Sequence, residues 1–172
     1  MASLMENLIS VLEAEGTAYE ELLELSMRKT PVIIGGDLEG LQKITDEEQI
    51  IVARINHLDV KREEVTKDIA NVLNKDVTKL KLADIIQMLS RRPVEQNRLA
   101  AAHDKLKEVV GQIKKINEQN RDLIQRSLEM VEFDLNLIQS MKSAPQTANY
   151  TRGAYSSGYV MGNNRGGFDA KQ

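Results

Sequence analysis

A heptad repeat of apolar residues in the second quarter of the chain constrains the fold most. Between residues 41 and 72, ten positions follow one another at alternating spacings of three and four, and eight of them are apolar. These positions are Leu41, Ile44, Glu48, Ile51, Ile55, Leu58, Arg62, Val65, Ile69 and Val72. Because this spacing keeps all ten side chains on one stripe of an α-helix, it predicts a long packed helix over about 37–73.

A second stripe predicts a first helix over roughly 3–29. Apolar residues recur there at spacings of three and four, with Glu15 as the interruption. They are Leu4, Leu8, Val11, Ala18, Leu22 and Leu25. Thr30-Pro31 and Gly35-Gly36 follow. Since proline lacks an amide donor and clashes with the preceding turn, we expect a break or a strong kink between residues 30 and 36.

The pattern predicts two more helices after residue 76. Apolar residues between Thr78 and Ser90 suffice for a short helix. Pro93 suits the first position of another helix, and apolar positions from Leu99 to Met141 support one helix of about 75 Å. That length exceeds what a globular core needs. We therefore expect part of its apolar face to lie uncovered, and residues 99–116 to be the better covered part.

Composition changes near residue 145. Residues 145–172 hold four of the six aromatic residues and five of the ten glycines. A segment so rich in Gly, Ser and Asn cannot bury enough apolar surface to offset its conformational entropy. We therefore predict a helical domain over 1–144 and a flexible Gly/Tyr-rich tail over 145–172. The tail is either inert or, given its aromatic residues, a carrier of short binding elements.

The predicted fold is all-α: an elongated antiparallel helical hairpin or bundle with a very long C-terminal helix and a disordered C-terminal tail. The chain has no cysteine, which excludes disulfides and thiolate zinc sites. Neither His57 nor His103 has a Glu three residues before it, so both are interpreted as surface or boundary histidines. Residues 35–40 have the glycine spacing of a phosphate loop but lack the Lys that must follow.

Charge and hydropathy exclude further classes of function. The net charge of −3 gives no electrostatic footprint for nucleic acid. No apolar run reaches the ~18 residues that span a bilayer, and the N-terminus lacks a basic signal region. We expect a cytoplasmic protein that does not insert into membranes, is not an enzyme, has no catalytic residues and holds no cofactor or metal.

Two asparagines lie where the last apolar stripe passes from Ile116 to Leu123. Asn117 and Asn120 either lie off the stripe in water or are partly buried, where they would fix the helix register or the choice of partner. The sequence pattern leaves both interpretations open.

The segment around these asparagines resembles the FlgN-type flagellar export chaperones. Ile116-Asn-Glu-Gln-Asn-Arg-Asp-Leu-Ile124 is similar to that family's Leu-Asn-x-x-Asn-x-x-Leu-Leu run. Gly36-Asp-Leu-Glu-Gly-Leu41 resembles the family's break between helices, and the Gly-rich tail with Tyr150 and the terminal Phe168-Asp-Ala-Lys171 also resembles the family. The Thr30-Pro31 step departs from the family pattern.

The resemblance implies a cytoplasmic type III export chaperone for hook-associated proteins, which form the junction between hook and filament. Such a chaperone binds the amphipathic C-terminal segment of its client, prevents premature polymerisation and delivers the client to the cytoplasmic domain of the flagellar export gate. By match, Tyr150 is the contact with the export gate, although Tyr155 or Tyr159 could take its place.

By the same match, the client-binding residues lie on the apolar face of the last helix; the same residues could instead belong to the bundle core. They are Leu123, Ile124, Leu128, Val131, Leu135 and Ile138. A second function is compatible with these stripes. A structural coiled-coil subunit or tether would self-assemble through them and form a stable oligomer without a client.

Overall fold

The computed structural model describes residues 2–143, and over this range the protein is all-α, as predicted. Its helices are α1 (Ala2–Ile34), α2 (Leu38–Val72), α3 (Leu82–Met88) and α4 (Pro93–Ser143), with 3₁₀ turns at Val77–Lys79 and Leu89–Arg91. This part of the chain contains no strand. The very long C-terminal helix is confirmed, and the predicted tail over 145–172 lies outside the described residues.

The predicted break between residues 30 and 36 is confirmed, because α1 ends at Ile34. The predicted end of the helix near residue 29 is wrong, because the helix continues through Thr30-Pro31. Pro31 cannot donate to the carbonyl of Met27. Both side chains are exposed, so water can satisfy that carbonyl on the outer side of the helix. Ile33 is buried, and this burial favours continuation of the helix through its last turn.

Glycine ends α1 and aspartate begins α2. Gly36 has a φ of +66°. The amide of Gly36 donates to the Ile33 carbonyl at 3.1 Å and that of Asp37 to the Val32 carbonyl at 3.2 Å, which is a Schellman motif. The Asp37 carboxylate then accepts from the Gly40 amide at 2.9 Å. These bonds set the start of α2, which confirms the predicted helix over about 37–73.

Cross-helix ion pairs show that α1 and α2 form the predicted antiparallel hairpin. Arg54 pairs with Glu21, and Arg62 pairs with Glu15. Residue numbers therefore fall along α1 as they rise along α2.

The long helix α4 runs parallel to α1. Arg98 donates to Glu6 at 2.9 Å and to Glu13 at 3.1 Å, and Lys105 lies 2.9 Å from Glu20. Along these contacts, residue numbers rise in the same direction in α1 and α4. Since α2 is antiparallel to α1, α4 is also antiparallel to α2. The connection through α3 returns the chain to the end at which α1 began.

The main hydrophobic core lies at that end. It joins the first turns of α1, the last turns of α2, the segment around α3 and the first turns of α4. Its buried members are Met5, Leu8, Ile9, Leu12, Val65, Ile69, Ala70, Leu80, Ile85, Leu89, Leu99 and Ala102. Toward the hairpin turn, the interior consists of single buried residues such as Leu25, Ile44 and Ile55.

The short helix predicted within residues 78–90 is confirmed as α3, but it covers only Leu82–Met88 and is flanked by the two 3₁₀ turns. The Asp76 carboxylate accepts from the Thr78 amide at 3.0 Å, which starts a separate 3₁₀ turn. The Asp84 carboxylate accepts the Lys81 amide at 3.0 Å, which delays the start of α3 to residue 82.

The chain divides into two compact units, Met1–Glu132 and Phe133–Gln172. The hairpin and the core belong to the first unit. The described part of the second unit is the end of α4, residues 133–143.

Candidate functional site

The helix α4 is buried only along its first part. Leu99 and Ala102 lie in the core, and Val109 and Ile113 are buried farther along the helix. This confirms the expectation that residues 99–116 are the better covered part. Beyond Asn120, no described residue of α4 is buried.

The predicted client-binding residues in the first unit are uncovered to different degrees. Leu123 is half-buried, whereas Ile124, Leu128 and Val131 are exposed, Leu128 by 60%. In the second unit, Leu135 and Ile138 are exposed by about half of their surface. Within the described chain these side chains are therefore not core residues, and their role in binding stays a prediction.

The second unit carries a further exposed apolar stripe, at the end of α4, that was not predicted from the sequence. Phe133, Leu137 and Met141 are separated by steps of four, so they share one side of the helix. All three are exposed, and the helical period places them away from Leu135. The spacing itself was the signal that could have identified this stripe.

The two asparagines have different environments. Asn120 is only 3% exposed. Its Nδ2 donates to the Ser26 carbonyl at 2.8 Å, and its Oδ1 accepts from the Thr30 hydroxyl at 2.6 Å. Asn117 is exposed. Asn120 is thus the polar contact that joins α4 to the last turns of α1, while the Asn117 amide is open to a partner.

An open groove of about 370 Å³ lies beside Asn120, between α2 and α4. Leu22, Val52 and Ile124 supply its apolar surface. Its remaining lining residues are polar, namely Ser26, Lys29, Glu48, Asn117, Asn120 and Arg121. Ile124 belongs both to this groove and to the exposed apolar face of α4.

The polar residues that interrupt the apolar stripes of α1 and α2 also pair across the hairpin. Glu48 pairs with Lys29, and both side chains are largely buried. Glu15, 2% exposed, has its Oε1 3.1 Å from Nε of Arg62, but the orientation of the two groups does not make a hydrogen bond. Burial raises the pKa of Glu15, and the charge of Arg62 opposes that rise.

His57 is exposed and His103 is partly exposed, as predicted. Over residues 2–143, His, Cys, Asp and Glu side chains form no group that could hold a metal ion. None of the helices in that range combines the length and apolarity needed to cross a bilayer. Tyr150, the predicted contact with the export gate, lies outside the described residues.

Over the described residues, the fold and this face define a class of protein: an all-α protein whose last helix has an apolar surface that the described chain leaves uncovered. The model of the family described as FlgN protein matches residues 1–157. The chain therefore belongs to the FlgN family, a family of chaperones for flagellum assembly. The family resemblance seen in residues 116–124 is confirmed.

One curated relative is similar to most of the chain. It is described as the uncharacterized protein YvyG of Bacillus subtilis (strain 168). The two are 24% identical over 120 residues, which cover 70% of this chain and 71% of the relative. No solved structure matches the chain.

Proposed function

We propose that this protein is a cytoplasmic type III export chaperone that binds the amphipathic C-terminal segment of hook-associated proteins. Binding would prevent premature polymerisation of the client and bring it to the export gate. The observation that carries the proposal is the uncovered apolar face of α4 in a member of the FlgN family. Contiguous apolar surface of this kind is typical of sites for protein partners.

An amphipathic client segment would bind by laying its apolar side on this face. In the first unit the proposed contacts are Leu123, Ile124, Leu128 and Val131. Leu135 and Ile138 are the proposed contacts of the second unit, described by itself. Removing these side chains from water would favour the complex by about 25 cal/mol per Å² of apolar surface. Part of this gain offsets the ordering of a client segment that is disordered before binding. Asn120 would hold α4 in register, and Asn117 would contact the client.

Calorimetric titration with the C-terminal segments of hook-associated proteins from the same organism tests the proposal. We expect saturable 1:1 binding that is lost in Leu128→Asp. Ile50→Asp is the matched control, because Ile50 is an even more exposed apolar residue on α2 and the new side chain is the same. Circular dichroism checks that both variants are folded. A folded wild-type protein that binds no segment would contradict the proposal.

The same uncovered face is compatible with the second candidate, a self-assembling coiled-coil subunit or tether. The two functions predict different oligomeric states for the protein in the absence of a client. Sedimentation of the wild-type chain should give a monomer or weak self-association if it is a chaperone. A stable oligomer that Leu128→Asp dissociates would favour the tether.

Tyr150 is the proposed contact with the cytoplasmic domain of the export gate. The proposal is supported by the family match, which extends to residue 157 and so includes Tyr150. Tyr150→Ala should weaken binding to that domain and leave client binding unchanged. Tyr155→Ala is the matched control; if it weakens binding to the gate equally, the assignment to Tyr150 is wrong.

A further inference from the structure

We propose that the groove between α2 and α4 receives one turn of the client's amphipathic helix, and that Arg121 pairs with an acidic side chain of that turn. The inference rests on the proposed function and adds α2 to the client-binding surface. The volume of the groove, about 370 Å³, is in the range of pockets that hold bound groups, about 300–1,000 Å³.

The apolar part of the groove is open to water. Val52 on α2 is 42% exposed and Ile124 on α4 is exposed to a similar extent, while Leu22 of α1 lies half-buried between them. An apolar side chain inserted there would contact α1, α2 and α4. It would remove apolar surface from water that the described chain itself leaves exposed.

The charges in the groove favour an acidic partner. Lys29 and Glu48 pair with each other, so neither is available to a ligand. Arg121 is exposed and forms no ion pair with any residue in the described range. The groove therefore has one guanidinium without a carboxylate, next to the Asn117 amide. A guanidinium binds a carboxylate through two parallel hydrogen bonds.

Continuity with the α4 face identifies the occupant. Ile124 lines the groove and also begins the row that continues through Leu128 and Val131. A helix that lies on this row and extends toward the core of the first unit meets the groove at its next turn. The occupant is thus the client helix that already covers α4, with an acidic residue at the turn that reaches α2.

Two variant pairs test the groove against the same C-terminal peptides of hook-associated proteins. Val52→Asp and Arg121→Glu should each weaken peptide binding about tenfold or more. Ile50→Asp and Arg126→Glu should change it less than twofold, because Ile50 lies about 160° around α2 from Val52 and Arg126 lies about 140° around α4 from Arg121. Lysine substitution of the paired acidic residue in the peptide should restore binding to Arg121→Glu.

Photocrosslinking identifies the occupant directly. With p-benzoylphenylalanine at position 52 in the full chain, we expect a crosslink to the peptide, and none with the same residue at position 50. A crosslink from position 52 to the chain's own residues or to a second copy would overturn the assignment. If Leu128→Asp abolishes binding while Val52→Asp and Arg121→Glu bind like the wild type, the groove is not used and the proposed function stands. Absence of peptide binding by the folded wild type would overturn both.

Discussion

At the scale of single residues, polar residues that are buried between the helices lie where the apolar stripes are interrupted. Glu15 faces Arg62, Glu48 faces Lys29, and Asn120 bonds to α1. Each of these contacts can form in only one register of the two helices. A shift by one turn would leave a buried polar group without its partner. These residues therefore specify how the helices align more than how strongly they pack.

Asn120→Ala should destabilise the protein by about 1–3 kcal/mol, because it leaves the Ser26 carbonyl and the Thr30 hydroxyl without their partner. Asn117→Ala is the matched control. It replaces an exposed asparagine of the same helix and should change stability by less than about 0.5 kcal/mol. Replacement of asparagine by alanine raises the helix propensity equally in both variants, so this term cancels when their free energies of unfolding are compared. Urea unfolding measures both, and equal effects would contradict the anchoring role of Asn120.

Glu15→Gln should change how stability depends on pH. The pKa of Glu15 is raised by burial in the folded state, so this group binds its proton more readily folded than unfolded. Its contribution is fully present below the unfolded pKa, near 4.5, and is lost as pH rises through the folded value. Relative to the glutamine variant, the wild type should therefore gain stability as pH falls toward 4.5. Urea unfolding at a series of pH values would show parallel curves if this is wrong.

At the scale of elements, the turn between α1 and α2 depends on two short-range devices. The left-handed conformation of Gly36 closes the Schellman motif, and the Asp37 carboxylate starts the next helix. The connection between the two helices consists of Gly35, Gly36 and Asp37 only. It is this short because Asp37 both completes the Schellman motif of α1 and caps α2. The turn is thus defined by local hydrogen bonds and by the conformation of Gly36 rather than by the packing of side chains.

Gly36→Ala should destabilise the protein by about 1–2 kcal/mol, because an alanine is forced into the left-handed region. Gly111→Ala should do the opposite. Gly111 lies inside α4, where an added methyl group meets nothing within 4 Å, and alanine gains about 0.5–1 kcal/mol of helix propensity. Thermal unfolding of both variants checks the opposite signs; a Gly36→Ala variant as stable as the wild type would contradict the motif.

The elements could be predicted from the sequence where one local rule dominates. The heptad of α2 and the proline-free run of α4 predicted both helices to within a few residues. The end of α1 could not be placed, because solvent around Pro31 and the burial of Ile33 outweigh the local preference of proline. The partner of Asn120 could not be predicted either, since Ser26 lies 94 residues away and the pairing depends on the parallel packing of α1 and α4. The exposed face of α4 was expected from the helix length, whereas the α2 side of the groove required the structure.

At the scale of the whole molecule, burial is concentrated at one end of the first unit. The core joins four helical segments around residues 5–12, 65–70, 80–89 and 99–102. Past Asn120, α4 contributes no buried side chain within the described range. Stability and the proposed binding surface are therefore carried by different parts of α4.

Amide hydrogen exchange should report this difference. Peptides that cover 99–113 should be strongly protected, and those that cover 121–132 should exchange faster because they open without disrupting the core. Addition of a client segment should protect 121–132 and leave 99–113 nearly unchanged. Uniform protection along α4 in the protein alone would mean that its face is already covered.

The parallel packing of α4 on α1 also determines the order in which the molecule can assemble. The hairpin contacts Lys29–Glu48 and Arg54–Glu21 join residues 19 and 33 positions apart. The contacts of α4 with α1 join residues 85 to 94 positions apart. Contacts between distant residues form more slowly than local ones, so the hairpin should fold first and α4 should dock second. During synthesis, both helices of the hairpin precede Asn120 in the chain. Asn120 can therefore bond to Ser26 and Thr30 only after the whole hairpin has been synthesised.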